Sequence, residues 1–250
     1  MHTEEAGNAR MKVGKSVRGG SALSIAVFVL VFGVGAAGCI SDRPEEPEGP
    51  LYVGAEEVCD GLFAGPMAKK VESVTDATVF GRSGAHGMQD VVEALKEGYA
   101  SGHSWAGGDK LCVLDPKGGK QGDVGGLSFS MYAPQDVRDI RPSADIDYYP
   151  MGKLSEVGRG NAGLYFECVS PHLKGSEETP LRIAGGFGRG NKRAPDTREL
   201  RDANLEIIHR ASLAVAKELQ CENNGGLPEK PVLRPFKKGM STPPSPKASA

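Results

Sequence analysis

Tryptophan and closely spaced cysteines are the residues that this sequence has least of. One residue of 250 is tryptophan, and aromatic residues make up 6% of the chain. Among the four cysteines that follow Cys39, the nearest two lie 53 positions apart. Structural zinc sites usually contain cysteine pairs separated by only about two to four residues. The sequence therefore predicts no metal site.

Catalytic and nucleotide-binding motifs are also missing. The sequence contains no G-x-S-x-G elbow, and its histidines do not match H-E-x-x-H. In the segment GGFGRGN (185–191), the G-x-G-x-x-G pattern read from Gly186 fails because its sixth place is Asn191. Gly119-Lys120 is followed by Gln121 rather than Ser or Thr. We interpret both segments as turns, and the sequence predicts no cofactor.

An excess of basic residues, which a nucleic-acid-binding surface requires, is absent as well. The whole chain has 30 Lys and Arg against 32 Asp and Glu. Residues 1–38 hold four of the basic and two of the acidic side chains, so the remainder has an acidic excess of four. This balance argues against a nucleic-acid partner and indicates a soluble surface.

One long apolar run is present near the amino terminus. Four basic residues precede the run SALSIAVFVLVFGVGAAGC, which occupies 21–39 and ends in small residues and Cys39. A basic start, an apolar centre and small residues before a cut are typical of an export signal. The segment resembles a bacterial lipoprotein signal, and that resemblance implies cleavage before Cys39 and a diacylglycerol on its thiol.

The same run leaves two alternatives open. Position 36 is alanine, where the lipoprotein pattern usually has a large aliphatic residue, and an uncleaved single-span anchor would also suit a run of this length. Translation could also start at Met11. Whether the run is a cleaved lipoprotein signal or an uncleaved anchor, we expect the rest of the chain at the outer face of the cytoplasmic membrane.

The four later cysteines predict disulfides, because an exported protein lies in an oxidising environment. Three pairings are open. We favour Cys112 with Cys168, both in strand-like segments, and Cys59 with Cys221, which would join the start of the folded region to its end. Each bond would close a long loop and so stabilise the folded state by about 4 kcal/mol in the chain-entropy model.

Composition divides the chain into four parts. Residues 1–38 form the signal, and 39–55 form an acidic, proline-rich spacer with too little apolar surface to fold. Residues 56–222 are long enough for one domain. Residues 223–250 are rich in proline, serine and lysine, which predicts a disordered tail.

Hydrophobic periodicity predicts three helices and four strands. The longest helix spans 197–220, where Asp196 and Glu199 resemble a capping box, and shorter helices begin at Pro66 and Met88. Strands are predicted over 110–115, 126–132, 162–169 and 180–187, with glycines concentrated in turns around Gly125 and Gly185, among others. The expected fold class is α+β, an antiparallel sheet of about four or more strands with helices packed on one face.

The order of these features resembles a group of small exported lipoproteins of actinobacteria whose functions are uncharacterised. The segments that carry the resemblance are VCDGLFAGPMAKKVESVTDA, a central C-V-L strand, YFECV and a helix ending in AKELQC, which together cover 59–221. The resemblance implies a disulfide-bonded, surface-displayed α+β domain and supplies no catalytic residue.

Two segments hold candidate ligand contacts. His103 and Trp105 lie in the glycine-containing segment 101–110, where an indole can stack on a sugar or anchor a partner. Asp145, Asp147 and Tyr148 lie in an extended segment whose alternating aspartates we expect on one side. His209 is expected on the solvated side of the long helix.

These observations favour a non-catalytic, lipid-anchored domain that binds a ligand or a protein partner at the cell surface. The alternative is a secreted hydrolase whose site is assembled around His103 and Trp105 with Asp145 or Asp147. A solute-binding lipoprotein is less favoured, because two-lobed binders generally need a longer chain.

Overall fold

The computed structural model describes residues 51–82, 87–138, 143–191 and 193–236. The predicted signal, the predicted lipidation residue Cys39 and the predicted tail beyond 236 lie outside these ranges. No helix within the described ranges is long and apolar enough to span a membrane.

The described chain forms an antiparallel sheet with helices on one face, which confirms the predicted α+β class. Four α-helices are present in the described ranges: α1 (Pro66–Thr75), α2 (Met88–Ala100), α3 (Pro134–Arg138) and α4 (Arg198–Glu218). The eight strands are β1 (Tyr52–Gly54), β2 (Val79–Gly81), β3 (Asp109–Leu114), β4 (Gly125–Met131), β5 (Asp147–Tyr149), β6 (Leu154–Val157), β7 (Asn161–Cys168) and β8 (Leu181–Gly188).

Strands β3 to β8 form one six-stranded sheet in the order β3-β4-β8-β7-β6-β5, and β1 and β2 pair separately. The three longest helices and four longest strands match the predicted ones within a few residues. Strands β1, β2, β5 and β6 were not predicted, because three or four residues are too few to show a clear alternation.

One face of the sheet, here the inner face, packs against α2 and α4. Alternate residues of β7 and β8 are buried on this side, among them Leu164, Phe166 and Ile183. Helix α1 also packs on α4. Helix α4 therefore has neighbours on more than one side and is buried around most of its circumference.

The burial of α4 corrects the expectation for His209. Its side chain is not solvated: the residue is 3% exposed, and its Nε2 lies 2.8 Å from the carbonyl oxygen of Pro228. The start of the helix also differs from the prediction, because the Thr197 hydroxyl, rather than Asp196, accepts from the Leu200 amide at 3.3 Å. Asp196 instead pairs with Arg201.

Two disulfides are present, but the favoured pairing was wrong. The bonds join Cys59 to Cys112 and Cys168 to Cys221, with Cα–Cα distances of 5.4 and 5.0 Å. Cys112 and Cys168 cannot pair, because β4 and β8 separate their strands. Three strand spacings amount to ~14 Å, twice the span that a disulfide bridges.

The folded region extends beyond 56–222 at both ends. Part of the predicted spacer forms β1, where Val53 is 7% exposed and pairs with Phe80. Part of the predicted tail, residues 227–236, lies against the domain, and we call it the C-terminal strap. Leu227 at its start is 4% exposed, and the amide of Phe236 at its end donates to the Tyr148 carbonyl at 2.7 Å.

Candidate functional site

The sequence-predicted ligand contacts do not come together. His103 and Trp105 lie in the loop before β3, and Trp105 is 60% exposed. Asp147 and Tyr148 lie on β5. Strands β3 and β5 are the two opposite edges of the sheet, five strand spacings or ~24 Å apart.

Asp147 serves the packing of the fold. It lies on the inner face, where its Oδ2 accepts from Arg201 at 3.1 Å. Arg201 also forms two hydrogen bonds with Asp196, at 2.7 and 2.8 Å, and these bonds hold the pKa of Asp196 below its usual value. This network fixes the first turn of α4 to β5. Asp145 is exposed in the segment before β5.

The described residues contain no group of three or more histidine, cysteine, aspartate or glutamate side chains placed to hold a metal ion. The four described cysteines are all used in disulfides. His172 is exposed in the segment after β7, and His103 contacts the Ser101 hydroxyl at 3.1 Å.

One depression, of about 1040 Å³, lies between the end of α1 and the segments that follow β3 and β8. Two of its cationic side chains have partners. Arg193 donates to both carboxylate oxygens of Asp123 at 3.1 Å, and the Lys117 ammonium lies 4.8 Å from the centre of the Tyr52 ring. Glu72 and the exposed Asp76 also line this depression.

A second depression, of about 390 Å³, lies on the outer face of the sheet, opposite α2 and α4. Its floor consists of outward positions on three adjacent strands, where small residues replace the usual β-branched and aromatic ones. We call it the glycine trough. The outward floor residues are Gly126, Ser128 and Ser130 of β4, Ala184, Gly186 and Gly188 of β8, and Gly163 of β7.

The strand register places these residues in rows across the sheet. In one row Ser128 lies opposite Gly186, Gly186 opposite Gly163, and Gly163 opposite Glu156. Lys110 continues this row beyond Ser128, and Tyr148 continues it beyond Glu156. The row therefore has a basic residue towards one end, an acidic residue towards the other and glycines between them.

The glycines of the trough differ in whether the fold needs them. A Cβ on Gly126 would lie 2.8 Å from the Cys112 carbonyl oxygen, so no larger residue fits there without a shift. On Gly186 the nearest described atom would be the Ser128 hydroxyl oxygen, at an ordinary 3.6 Å. On Gly188 a Cβ would meet no described atom within 4 Å. Packing thus explains Gly126 but not Gly186 or Gly188.

Tyr165 and Glu156 form one wall of the trough and lean over Gly163, where a Cβ would lie 3.2 Å from Glu156 and 3.5 Å from the Tyr165 ring. The Tyr165 hydroxyl donates to Glu156 Oε1 at 3.2 Å. The ring also packs edge-on against Tyr132, with 5.4 Å between centroids and an interplanar angle of 88°. Burial and the nearby Glu156 raise the pKa of Tyr165, so it remains a neutral phenol.

Sequence reasoning missed this site, because it assigned Gly125 and Gly185 to turns. Both lie within strands. The available signal was the alternation of large and small residues in LRIAGGFG, where Leu181, Ile183 and Phe187 are buried and the residues between them are small or face outward.

Comparisons with known proteins add no assignment. No protein-family model matches this chain, and neither the curated proteins nor the solved structures include a significant match to it.

Proposed function

We propose that this domain is a non-catalytic binding module, displayed at the outer face of the cytoplasmic membrane, that holds an extended ligand or protein partner in the glycine trough. The observation that carries the proposal is the pair Gly186 and Gly188. Both are glycines within a strand, and both have room for a side chain.

Glycine in a strand interior destabilises a protein by roughly 0.5–1 kcal/mol relative to alanine, because its backbone loses more freedom on folding. A strand glycine that internal packing does not require is typical of a place where another molecule approaches the backbone closely. In this chain the approach would come from the open side of the sheet, onto β8.

The sequence supports the proposed location. The basic leader, the apolar run and the small residues before Cys39 are those of a lipoprotein signal, and we propose Cys39 as the lipid-bearing residue. The two disulfides support the same compartment, because such bonds persist in oxidising environments and are rare in the cytosol.

The hydrolase alternative has no comparable support. Its candidate residues lie at opposite edges of the sheet, and Asp147 is paired with Arg201. The wall of the trough offers one carboxylate, Glu156, which already accepts a hydrogen bond from Tyr165.

Site-specific photocrosslinking in the producing organism tests the proposal. A photoreactive residue at the exposed Ser128 lies in the trough, and one at the exposed Lys217 lies on α4 and serves as the matched control. We expect a specific crosslinked product from position 128, its loss when Gly188→Thr is added, and no such product from position 217. Identical crosslinking from the two positions, or a product from position 128 that Gly188→Thr leaves unchanged, would contradict the proposal.

A further inference from the structure

The structure of the trough also indicates what kind of molecule it binds. Resting on the proposed function, we propose that the ligand is an uncharged glycan chain that lies across strands β4, β8 and β7 and is held by the polar groups at the edges of the trough.

The floor argues against a peptide ligand. A peptide that adds to a sheet pairs with the free backbone groups of an edge strand. Strands β4, β8 and β7 are interior strands, and each pairs with neighbours on both sides. Their backbone donors and acceptors serve the sheet ladder, so the floor is a flat surface of glycine CH groups and peptide planes. The CH face of a sugar ring fits such a surface without needing backbone partners.

The edges of the trough supply the groups that bind sugar hydroxyls. Ser128 and Ser130 lie on the β4 side, and Glu156 and Asn161 lie on the opposite side. Hydroxyl and amide side chains both donate and accept hydrogen bonds, and a carboxylate accepts them. Ser128 and Asn161 are exposed. From β4 to β6 the distance is three strand spacings, ~14 Å, which suits several linked rings rather than one.

The charges favour an uncharged ligand. Glu156 is the one charged side chain among the residues that line the described trough, and Lys110, in the same row at the β3 edge, balances it. Two rows further along the strands, Glu167 lies opposite Arg182. Glu167 also pairs with the Lys153 ammonium at 2.7 Å. The trough therefore presents no concentration of positive charge for a phosphate-rich or uronate-rich chain.

Tyr165 provides the aromatic contact. Its ring is fixed on one side by Tyr132 and at its hydroxyl by Glu156, so it is already in place before a ligand arrives. A fixed aromatic side chain loses little conformational freedom on binding and therefore strengthens it.

Binding of the detergent-solubilised full chain to immobilised oligosaccharides tests this inference. The probes are cellohexaose, chitohexaose and maltohexaose as uncharged chains, hexagalacturonate as an anionic chain, and a cell-envelope fraction of the producing organism with and without protease digestion. The variants are Gly188→Thr and Tyr165→Leu, and Lys117→Ala, outside the trough, is the control. Thermal unfolding verifies that each variant is folded.

We expect binding to at least one uncharged chain, a loss of about tenfold or more in affinity for Gly188→Thr and for Tyr165→Leu, and no change for Lys117→Ala. Preference for hexagalacturonate would overturn the inference. So would retention on the envelope that protease digestion abolishes and that is lost in Gly188→Thr, and that result would leave the proposed function standing. If Gly188→Thr and the unmodified chain behave equally on every probe, including no retention of either, this inference and the proposed function are both overturned.

Discussion

Gly126 and Gly188 face each other across strands β4 and β8, yet the fold requires only one of them to be glycine. A Cβ at position 126 would lie 2.8 Å from the Cys112 carbonyl oxygen, whereas a Cβ at position 188 would meet no described atom within 4 Å. Two residues in the same row are therefore glycine for different reasons. Gly126 is required by the packing between strands, whereas Gly188 leaves the floor of the trough uncovered.

Replacing Gly188 with threonine should leave the free energy of unfolding unchanged or raise it by up to about 1 kcal/mol, because a β-branched residue suits a strand and restricts the unfolded chain. Gly185→Val is the matched change on the inner face of the same strand. Its Cβ would lie 2.7 Å from the Phe129 ring, so we expect a loss of roughly 1–3 kcal/mol from overpacking. Urea unfolding of both variants measures the difference. A Gly188→Thr variant as unstable as Gly185→Val would show that the fold itself needs Gly188.

The disulfides should each stabilise the domain by a similar amount, because each joins cysteines that are 53 positions apart. The chain-entropy model predicts a loss of about 4 kcal/mol when either pair is replaced by alanine. Thermal unfolding of Cys59→Ala/Cys112→Ala and of Cys168→Ala/Cys221→Ala measures both losses. Peptide mapping without reduction provides the control, and a peptide linking Cys112 to Cys168 would contradict the strand order as well as the pairing.

The sequence was sufficient for the long elements and insufficient for whatever depends on contacts between them. Helix α4 and strand β7 were predicted because each carries its own periodicity over eight or more residues. The cysteine pairing depends on the order of the strands in the sheet, which periodicity does not encode. His209 was misplaced because the burial of that side of α4 depends on the strap, which composition alone assigned to a disordered tail.

The trough was missed for a related reason. A glycine-rich segment is typical of turns in most sequences, and GGFGRGN contains four glycines in seven residues. Whether a strand glycine is needed by packing is decided by atoms on other strands, such as the Cys112 carbonyl for Gly126. Sequence reasoning has no access to that distance, so it could not separate Gly188 from the glycines that the fold requires.

The C-terminal strap should contribute to stability although it contains no regular strand. A chain that ends after Gly226 loses the buried Leu227 and the contacts of Pro228 and Phe236. Burial of one leucine side chain stabilises a protein by about 2 kcal/mol, so we expect at least that loss in urea unfolding. A chain that ends after Phe236 retains these contacts and is the control. Equal stability of the two truncated chains would show that the strap contacts contribute nothing.

The strap should also make stability depend on pH through His209. Burial lowers the pKa of His209 below its ordinary value of about 6.5, and this effect exceeds the opposing influence of the Pro228 carbonyl and Glu206. The unfolded chain then binds a proton more readily than the folded one, so stability rises with pH between the lowered folded pKa and the unfolded value. The contribution is fully present above about pH 6.5 and is lost as the pH falls from there through the lowered folded pKa.

His209→Gln keeps a donor for Pro228 but does not titrate, so its free energy of unfolding should fall less than that of the unmodified chain between pH 7 and pH 5. Parallel pH profiles for the two proteins would mean that His209 titrates in the folded chain as it does in water.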